Sequence, residues 1–227
     1  PEPRGRYDLV VLGAGTGGLI TSLIASSLGA RVALVEAHRM GGDCLNVGCV
    51  PSKALIAGAR RIHAAREAAA AGAAIDAADF GDFARVMGRL RGIRARISHE
   101  DSARRYADEF GIDVHFGRAR FSGPGRLDVE GRTLEYAKAV IATGARATAP
   151  PIPGLAEAGY RTNETIFELV ERPARLAVIG AGPIGCELAQ SFRRLGSQVV
   201  LLEQLPRVLG REDADAAAVI QRGLVRE

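Results

Sequence analysis

YDLVVLGAGTGGLITSLIASSLGARVALVEA, residues 7–37, decides the fold. Its first six residues form a short apolar run rich in Val and Leu, the mark of a strand buried on both faces. GAGTGG follows at 13–18, then a helix-like stretch, then RVALVEA as a second strand with Glu36 near its end. Gly13, Gly15 and Gly18 fit G-x-G-x-x-G. In that pattern the first glycine makes the tight turn. The second lets the backbone approach a pyrophosphate, and the third lets helix and strand pack closely. The helix N-terminus offers free N–H groups and partial positive charge to phosphates. Glu36 lies 23 residues after Gly13, where an acid can grip ribose hydroxyls.

The same order of elements returns near the other end. RLAVIG (175–180), GAGPIG (180–185), CELAQSFRRLG and SQVVLLEQ read as strand, turn, helix and strand. Gly180, Gly182, Gly185 and Glu203 repeat the first constellation, again with 23 residues from first glycine to acid. One glycine fingerprint is a weak signal; two complete units call for two dinucleotides or a duplicated domain. Glu203 favours a free 2′-hydroxyl over a 2′-phosphate, hence NADH over NADPH, with Arg207 nearby as a competing influence.

Composition bounds the class. The chain has 227 residues, 47% hydrophobic and 25% charged, as ordinary globular proteins do. No apolar run reaches the roughly 18 residues of a membrane span, and no signal peptide is visible. The net charge of +4 comes from dispersed Arg rather than a dense basic block, which argues against nucleic-acid binding. Three cysteines are too few for a secreted disulfide framework, so a reducing cytoplasm is expected. The first residue is Pro1, so residues upstream are expected.

Between the nucleotide units, 51–72 reads as one helix and 79–110 as a second. In the second, Phe83, Val86, Leu90, Ile93 and Ile97 form one apolar stripe. The two helices are expected to pack as a hairpin, with the off-stripe Arg residues in solvent or at a subunit interface. Short strands follow: IDVHFGRARFSG, RLDVEG, RTLEY and KAVIATG, with Glu130-Gly131 as a hairpin turn. The Pro-rich ATAPPIPG (147–154) starts a linker.

GGDCLNVGCVPSK, 41–53, places Cys44 and Cys49 in one glycine-rich loop. A zinc site wants close pairs and four ligands, and Cys186, His38, His63, His99 and His115 are scattered. A static staple adds little across so short a loop. A redox pair fits better. Cys49 precedes a helix start, which favours a thiolate, and Lys53 adds positive charge. The loop lies a few residues beyond the first ribose-binding strand. A dithiol beside one dinucleotide, with a second dinucleotide in the chain, describes an electron relay. Cys186 reads as a small buried residue.

GGDCLNVGCVPSK, with GAGTGG upstream, IATG in the middle and GAGPIGCE downstream, resembles the flavin-dependent pyridine nucleotide–disulfide oxidoreductases. The resemblance runs along essentially the whole chain. It implies an α/β fold: an FAD-binding Rossmann-like domain with helical-hairpin and β-meander insertions over 1–150, and a linker over 151–173. An incomplete second Rossmann-like domain, binding NAD(P), would occupy 174–227. Electrons would pass from NAD(P)H to FAD and then to a Cys44–Cys49 disulfide. The resemblance makes Cys44 the interchange thiol, makes Cys49 the thiolate against the flavin, and pairs Lys53 with Glu187. It places Gly13, Gly15, Thr16, Gly17, Gly18, Glu36, Ala37, Gly42 and Asp43 at the FAD. Gly117, Ala119, Ala142, Thr143 and Gly144 complete that site. Gly180, Gly182, Pro183, Ile184, Gly185, Glu187 and Glu203 would serve the second dinucleotide. Asp43 stands where Thr is more usual, so its part in phosphate binding is doubtful on charge.

A mercuric-reductase-like enzyme is favoured. The alternatives are a dihydrolipoyl dehydrogenase-like enzyme and a non-catalytic dinucleotide-binding module. The implied partners are a small disulfide or metal-ion substrate, with no resident metal, membrane or nucleic acid. A homodimer is implied for the full-length parent. The chain ends at Glu227, before the segments that would complete the flavin site and carry a His–Glu acid–base pair. It is therefore expected to be a fragment with weakened flavin binding that does not turn over alone.

Overall fold

The computed structural model describes residues 2–3, 5–76 and 81–227. Packing divides them into two compact units. One holds residues up to Val50 with Ile93–Glu164; the other holds Pro51–Gly92 with Thr165–Glu227.

The first unit is built on a six-stranded sheet in the order β3-β2-β1-β6-β5-β4. Its centre is β1 (Tyr7–Leu12), flanked in parallel by β2 (Val32–Glu36) and β6 (Arg132–Ile141). Helix α1 (Thr16–Ser27) connects β1 to β2, and Gly29 (φ 87°) follows its end in the left-handed conformation. Residues of β2 alternate between faces, as the pleat requires. Val32 and Leu34 pack with Leu19 of α1 and Tyr106, whereas Ala33 and Val35 pack with Leu127, Val129 and Leu134. Both faces are thus covered, which explains the unbroken apolar text of β1 and β2.

RTLEY and KAVI are one ten-residue strand, not two. Residues 132–135 of β6 pair antiparallel with β5 (Arg126–Val129), and Tyr136–Ile141 pair parallel with β1. The strand therefore joins the β4 (Ala119–Gly123)–β5–β6 meander to the parallel layer. Glu130 and Gly131 turn the β5–β6 hairpin with φ of 49° and 80°, the left-handed pair that a two-residue hairpin needs.

The second long helix of the sequence reading divides. Helix α4 (Phe83–Ile97) stops, and α5 (Ala103–Phe110) begins after a turn. The break falls at SHEDS, where Ser102 caps α5 by accepting from the Arg105 N–H at 3.2 Å. Asp79 and Phe80 lie outside the described residues. The apolar stripe holds as far as Leu90; Ile93 is half-buried and Ile97 exposed. A short α2 (Gly42–Asn46) leads into α3 (Cys49–Ala70), which starts two residues earlier than expected.

In the second unit, strands β7 (Arg175–Ile179) and β8 (Gln198–Leu202) pair in parallel, joined by α7 (Pro183–Arg194). Its core gathers Leu55 and Ile62 of α3, Met87 and Leu90 of α4, and Phe167 and Phe192. Short α6 (Asn163–Ile166) precedes β7, and α8 (Ala214–Arg226) ends the chain. Among the described residues no helix is long and apolar enough to cross a membrane.

Strand β3 (Asp113–Phe116) buries a polar cluster at the edge of the first unit. The Tyr7 hydroxyl donates to Asp113 at 2.9 Å and lies 3.4 Å from His115 Nε2. His115 Nδ1 is buried without a hydrogen-bond partner. Burial pushes the His115 imidazole below its ordinary range, so the folded chain holds it neutral. A depressed histidine contributes stability above its unfolded value and loses it as pH falls through the folded one. Urea midpoints should therefore fall as pH drops below the ordinary histidine range, and His115→Leu should flatten that slope.

Candidate functional site

Each glycine turn is enforced by backbone contact. A methyl group on Gly18 would sit 1.7 Å from the Gly13 carbonyl oxygen, and one on Gly185 would sit 1.9 Å from that of Gly180. Only glycine lets helix and turn approach so closely. Gly13 and Gly180 take φ of 100° and 97°. Their N–H groups donate to Val35 and Leu202 at 2.7 and 2.8 Å. Gly15 and Gly182 cap α1 and α7 with no side-chain acceptor, leaving first-turn N–H groups for a ligand.

The acids sit alike. Glu36 Oε2 accepts from the Ala14 N–H at 2.7 Å, and Oε1 accepts from His38 N–H at 2.7 Å. Glu203 Oε2 accepts from Ala181 N–H at 2.7 Å, and Oε1 from Leu205 N–H at 3.0 Å. The Leu205 and then the Ala181 N–H groups hold the Glu203 carboxyl below its ordinary range.

A cavity of about 510 Å³ opens over the first turn. It is lined by Gly13, Gly15, Thr16, Gly17, Glu36, Gly42, Asp43, Cys44, Ala142, Thr143 and Gly144. Gly18 is buried beneath the turn. Gly42 packs against Gly15, where a methyl would come within 2.4 Å of the Gly15 Cα. Glycine floor, helix N-terminus and buried acid together fit a dinucleotide such as FAD. Ala37, Gly117, Ala119 and Cys49 are not on this lining. The Gly117 N–H donates to the Glu36 carbonyl at 2.9 Å, which places it at the same sheet end.

Sequence reading missed His38, Arg39, Asn46, Val47, Ala145, Arg146 and Glu164 on the cavity wall. Arg146 Nη1 donates to both Glu164 oxygens at 3.0 Å. Arg146 sits two residues past the IATG turn and could have been suspected; Glu164 arrives from α6 with no local signal. Asp43 is exposed on the wall.

The dithiol adjoins this cavity. Cys44 is half-buried and Cys49, the first residue of α3, is exposed. Cys49's side chain hydrogen-bonds Cys44, and that contact is the largest cause raising the Cys44 thiol above its ordinary range. Burial and the charge of a Cys49 thiolate add to it, and a bond from Thr16 opposes it.

In the second unit Lys53 Nζ donates to Glu187 Oε1 at 2.6 Å, joining α3 to α7. Lys53 is 62% exposed, so the pair contributes at most about 1 kcal/mol of stability. Gly180, Gly182, Pro183, Ile184 and Gly185 form the turn and first helical residues beside it. Cys186 is buried, its thiol directed at the Ala181 carbonyl at 3.4 Å. Another cavity of about 510 Å³ lies beside Glu203 and Arg207. Among the described residues no cluster of three metal-ligating side chains occurs.

A family model described as pyridine nucleotide-disulphide oxidoreductase matches residues 7–227. The chain is 34% identical to a mercuric reductase from Bacillus cereus over 221 residues, covering 97% of this chain and 35% of that protein. It is 34% identical to a dihydrolipoyl dehydrogenase from Thermus scotoductus over 228 residues, with 97% and 47% covered. Among solved structures it resembles the HOCl-induced flavoprotein disulfide reductase RclA from Escherichia coli, with TM-score 0.82 and 32% identity. That match covers 97% of this chain and 47% of RclA. A Cu(II) complex of RclA matches with TM-score 0.81 and 31% identity, covering 98% of this chain and 48% of RclA. The chain thus spans less than half the length of each of these proteins.

Raising of the Cys44 thiol has a visible consequence. Its contribution to stability is present below the unfolded thiol value and lost as pH rises through the higher folded one. Iodoacetamide should label Cys44 with a pH midpoint above the ordinary thiol range. Cys49→Ser should bring that midpoint down, as peptide-resolved mass spectrometry would read.

Proposed function

The chain belongs to the pyridine nucleotide-disulphide oxidoreductase family, and on that premise we propose that it relays electrons between NAD(P)H, FAD and a Cys44–Cys49 disulfide, and from the thiols to a small acceptor. The family is FAD-dependent and uses pyridine nucleotide. The observation that carries the reading is the Cys44–Cys49 contact beside the cavity over the first glycine turn. Bound there, FAD would supply hydride acceptance from nicotinamide and return of an electron pair to the disulfide.

The chain's own residues then have distinct tasks. Gly13, Gly15, Thr16, Gly17 and the α1 N-terminus hold the pyrophosphate, and Glu36 takes ribose hydroxyls. Ala37, Gly117 and Ala119 border the adenosine end; Gly42, Ala142, Thr143 and Gly144 border the rest. Asp43, a carboxylate on this wall, would oppose phosphate and is given no part in holding it. Cys44 meets the acceptor and Cys49 stays beside the cofactor as the thiolate. Lys53 and Glu187 act as a pair within the second unit. Gly180, Gly182, Pro183, Ile184 and Gly185 cradle the nicotinamide dinucleotide. Glu203, held in its charged form, accepts from a 2′-hydroxyl and repels a 2′-phosphate, so NADH is favoured. The competing cation is Arg207, which already donates to the Gly210 and Glu212 carbonyls at 3.1 and 2.9 Å.

Mercuric ion is the favoured acceptor, a soft cation suited to two adjacent thiolates. A dihydrolipoyl-type disulfide is the alternative. The similarity to mercuric reductases and to RclA, which has a Cu(II) complex, supports a metal-ion acceptor. A cytoplasmic homodimer belongs to the same proposal.

Anaerobic two-electron reduction of the FAD-loaded protein should produce a long-wavelength absorbance band. Cys44→Ser, which has no disulfide to reduce, should show the band with oxidised FAD before any reductant is added, and Cys49→Ser should lack it in either state; a band in oxidised Cys49→Ser but not in Cys44→Ser would reverse the assignment. Glu203→Ala should narrow the NADH-over-NADPH preference about tenfold in binding affinity, an effect of about 1.4 kcal/mol, as fluorescence titration would show.

A further inference from the structure

We propose that Arg94, assisted by Asn163, is a positioning residue that holds the segment between Cys44 and Cys49 so that the two thiols stay in contact. The proposal rests on the reading of these cysteines as a redox pair.

Four residues, Leu45 to Gly48, separate the cysteines. Asn46 is the last residue of α2, so its carbonyl is one of the end carbonyls with no partner within that helix. The Arg94 guanidinium reaches it from α4, its Nη1 donating at 3.1 Å across 48 residues of sequence. Arg94 is half-buried, so the bond is partly shielded from water. From another side, Asn163 Nδ2 donates to the Val47 carbonyl at 3.4 Å. The Asn46 side chain clamps the near end through Met40 and Gly42 carbonyls at 3.0 and 2.9 Å. Gly48 leaves no slack, since a methyl there would lie 2.8 Å from the Asp43 carbonyl oxygen. The middle of the loop is thus held by donors from elements far along the chain.

A held loop raises the effective concentration of one thiol at the other. Closing the disulfide removes two protons and two electrons from Cys44 and Cys49. With cyclic oxidised dithiothreitol as oxidant, its S–S bond breaks and it takes both as the free dithiol. An unheld loop must be ordered before closing, so the disulfide becomes less favourable and the potential rises.

The test is equilibration of the full chain with oxidised and reduced dithiothreitol mixtures, then maleimide counting of free thiols under denaturing conditions. Cys186 adds one constant label. Arg94→Met should lower the disulfide equilibrium constant about tenfold, a rise of about 30 mV. Asn163→Ala should lower it about threefold, and Arg94→Lys, which keeps a cationic donor, should recover most of the loss. Folded Arg94→Met with an equilibrium within about twofold of the parent would overturn the proposal, as would failure of lysine to rescue. If Arg94→Met does not fold, Asn163→Ala decides by the same titration: a shift upholds the proposal and no shift overturns it. If the parent itself forms no Cys44–Cys49 disulfide, the redox-pair reading fails and this proposal falls with it. That outcome differs from a parent that cycles while its variants do not shift.

Discussion

The Gly18 Cα lies so close to the Gly13 carbonyl that a single methyl between them would overlap the oxygen. This contact brings α1 down onto β1 and aims its free N–H groups across the end of the sheet. The neighbouring strand supplies Glu36 to the same place, and the segment that follows β6 supplies Ala142 to Gly144. Remove the close approach and the cavity loses its floor and its electrostatic character together. The equivalent contact between Gly185 and Gly180 builds the second turn, down to the acid capped by the middle residue of the turn.

Two kinds of chemistry meet at the first turn. The glycines and the helix end suit phosphate, a group that needs only backbone donors. The thiols need side-chain control, and they receive it from each other. Cys44 resists ionisation chiefly because of its contact with Cys49, with burial adding to it. An asymmetric dithiol lets one sulfur exchange with an acceptor while the other keeps its place. Thr16, the first residue of α1, touches Cys44 and so ties phosphate turn and thiol pair into one site.

The glycine turns and the Glu130-Gly131 turn were legible in the sequence because each is fixed by residues a few positions away, and Glu36 and Glu203 were legible by their shared 23-residue offset from the first glycine. Strands β1 and β2 announce themselves by apolar runs, since both faces are covered, whereas β7 and β8 carry the same kind of run with alternate residues exposed. The helix expected over 79–110 misled because one apolar stripe runs through Phe83 and Leu90, while the fresh start after the break is marked by one serine cap at 102. Strand β6 was divided in reading because its two halves serve different neighbours, which alters the pattern within one continuous strand. Of the cavity wall, the glycines and Glu36 were readable. Glu164 was not, because only the folded chain brings it to Arg146. Arg94 looked like one of many solvent-facing arginines, and its reach to Asn46 exists only after α4 has packed. No local pattern ties Lys53 to Glu187 either; that pairing was suggested by family resemblance alone.

The central claim is that electrons reach the cysteine pair through a flavin held by the first glycine turn. The most direct measurement starts from the oxidised chain with and without FAD. NADH is added anaerobically, and thiols are trapped with iodoacetamide and located by mass spectrometry. The account predicts that Cys44 and Cys49 become alkylated only when both NADH and FAD are present, with Cys186 labelling unchanged. Labelling that ignores FAD, or an intact Cys44–Cys49 disulfide after the flavin has been reduced, would contradict it.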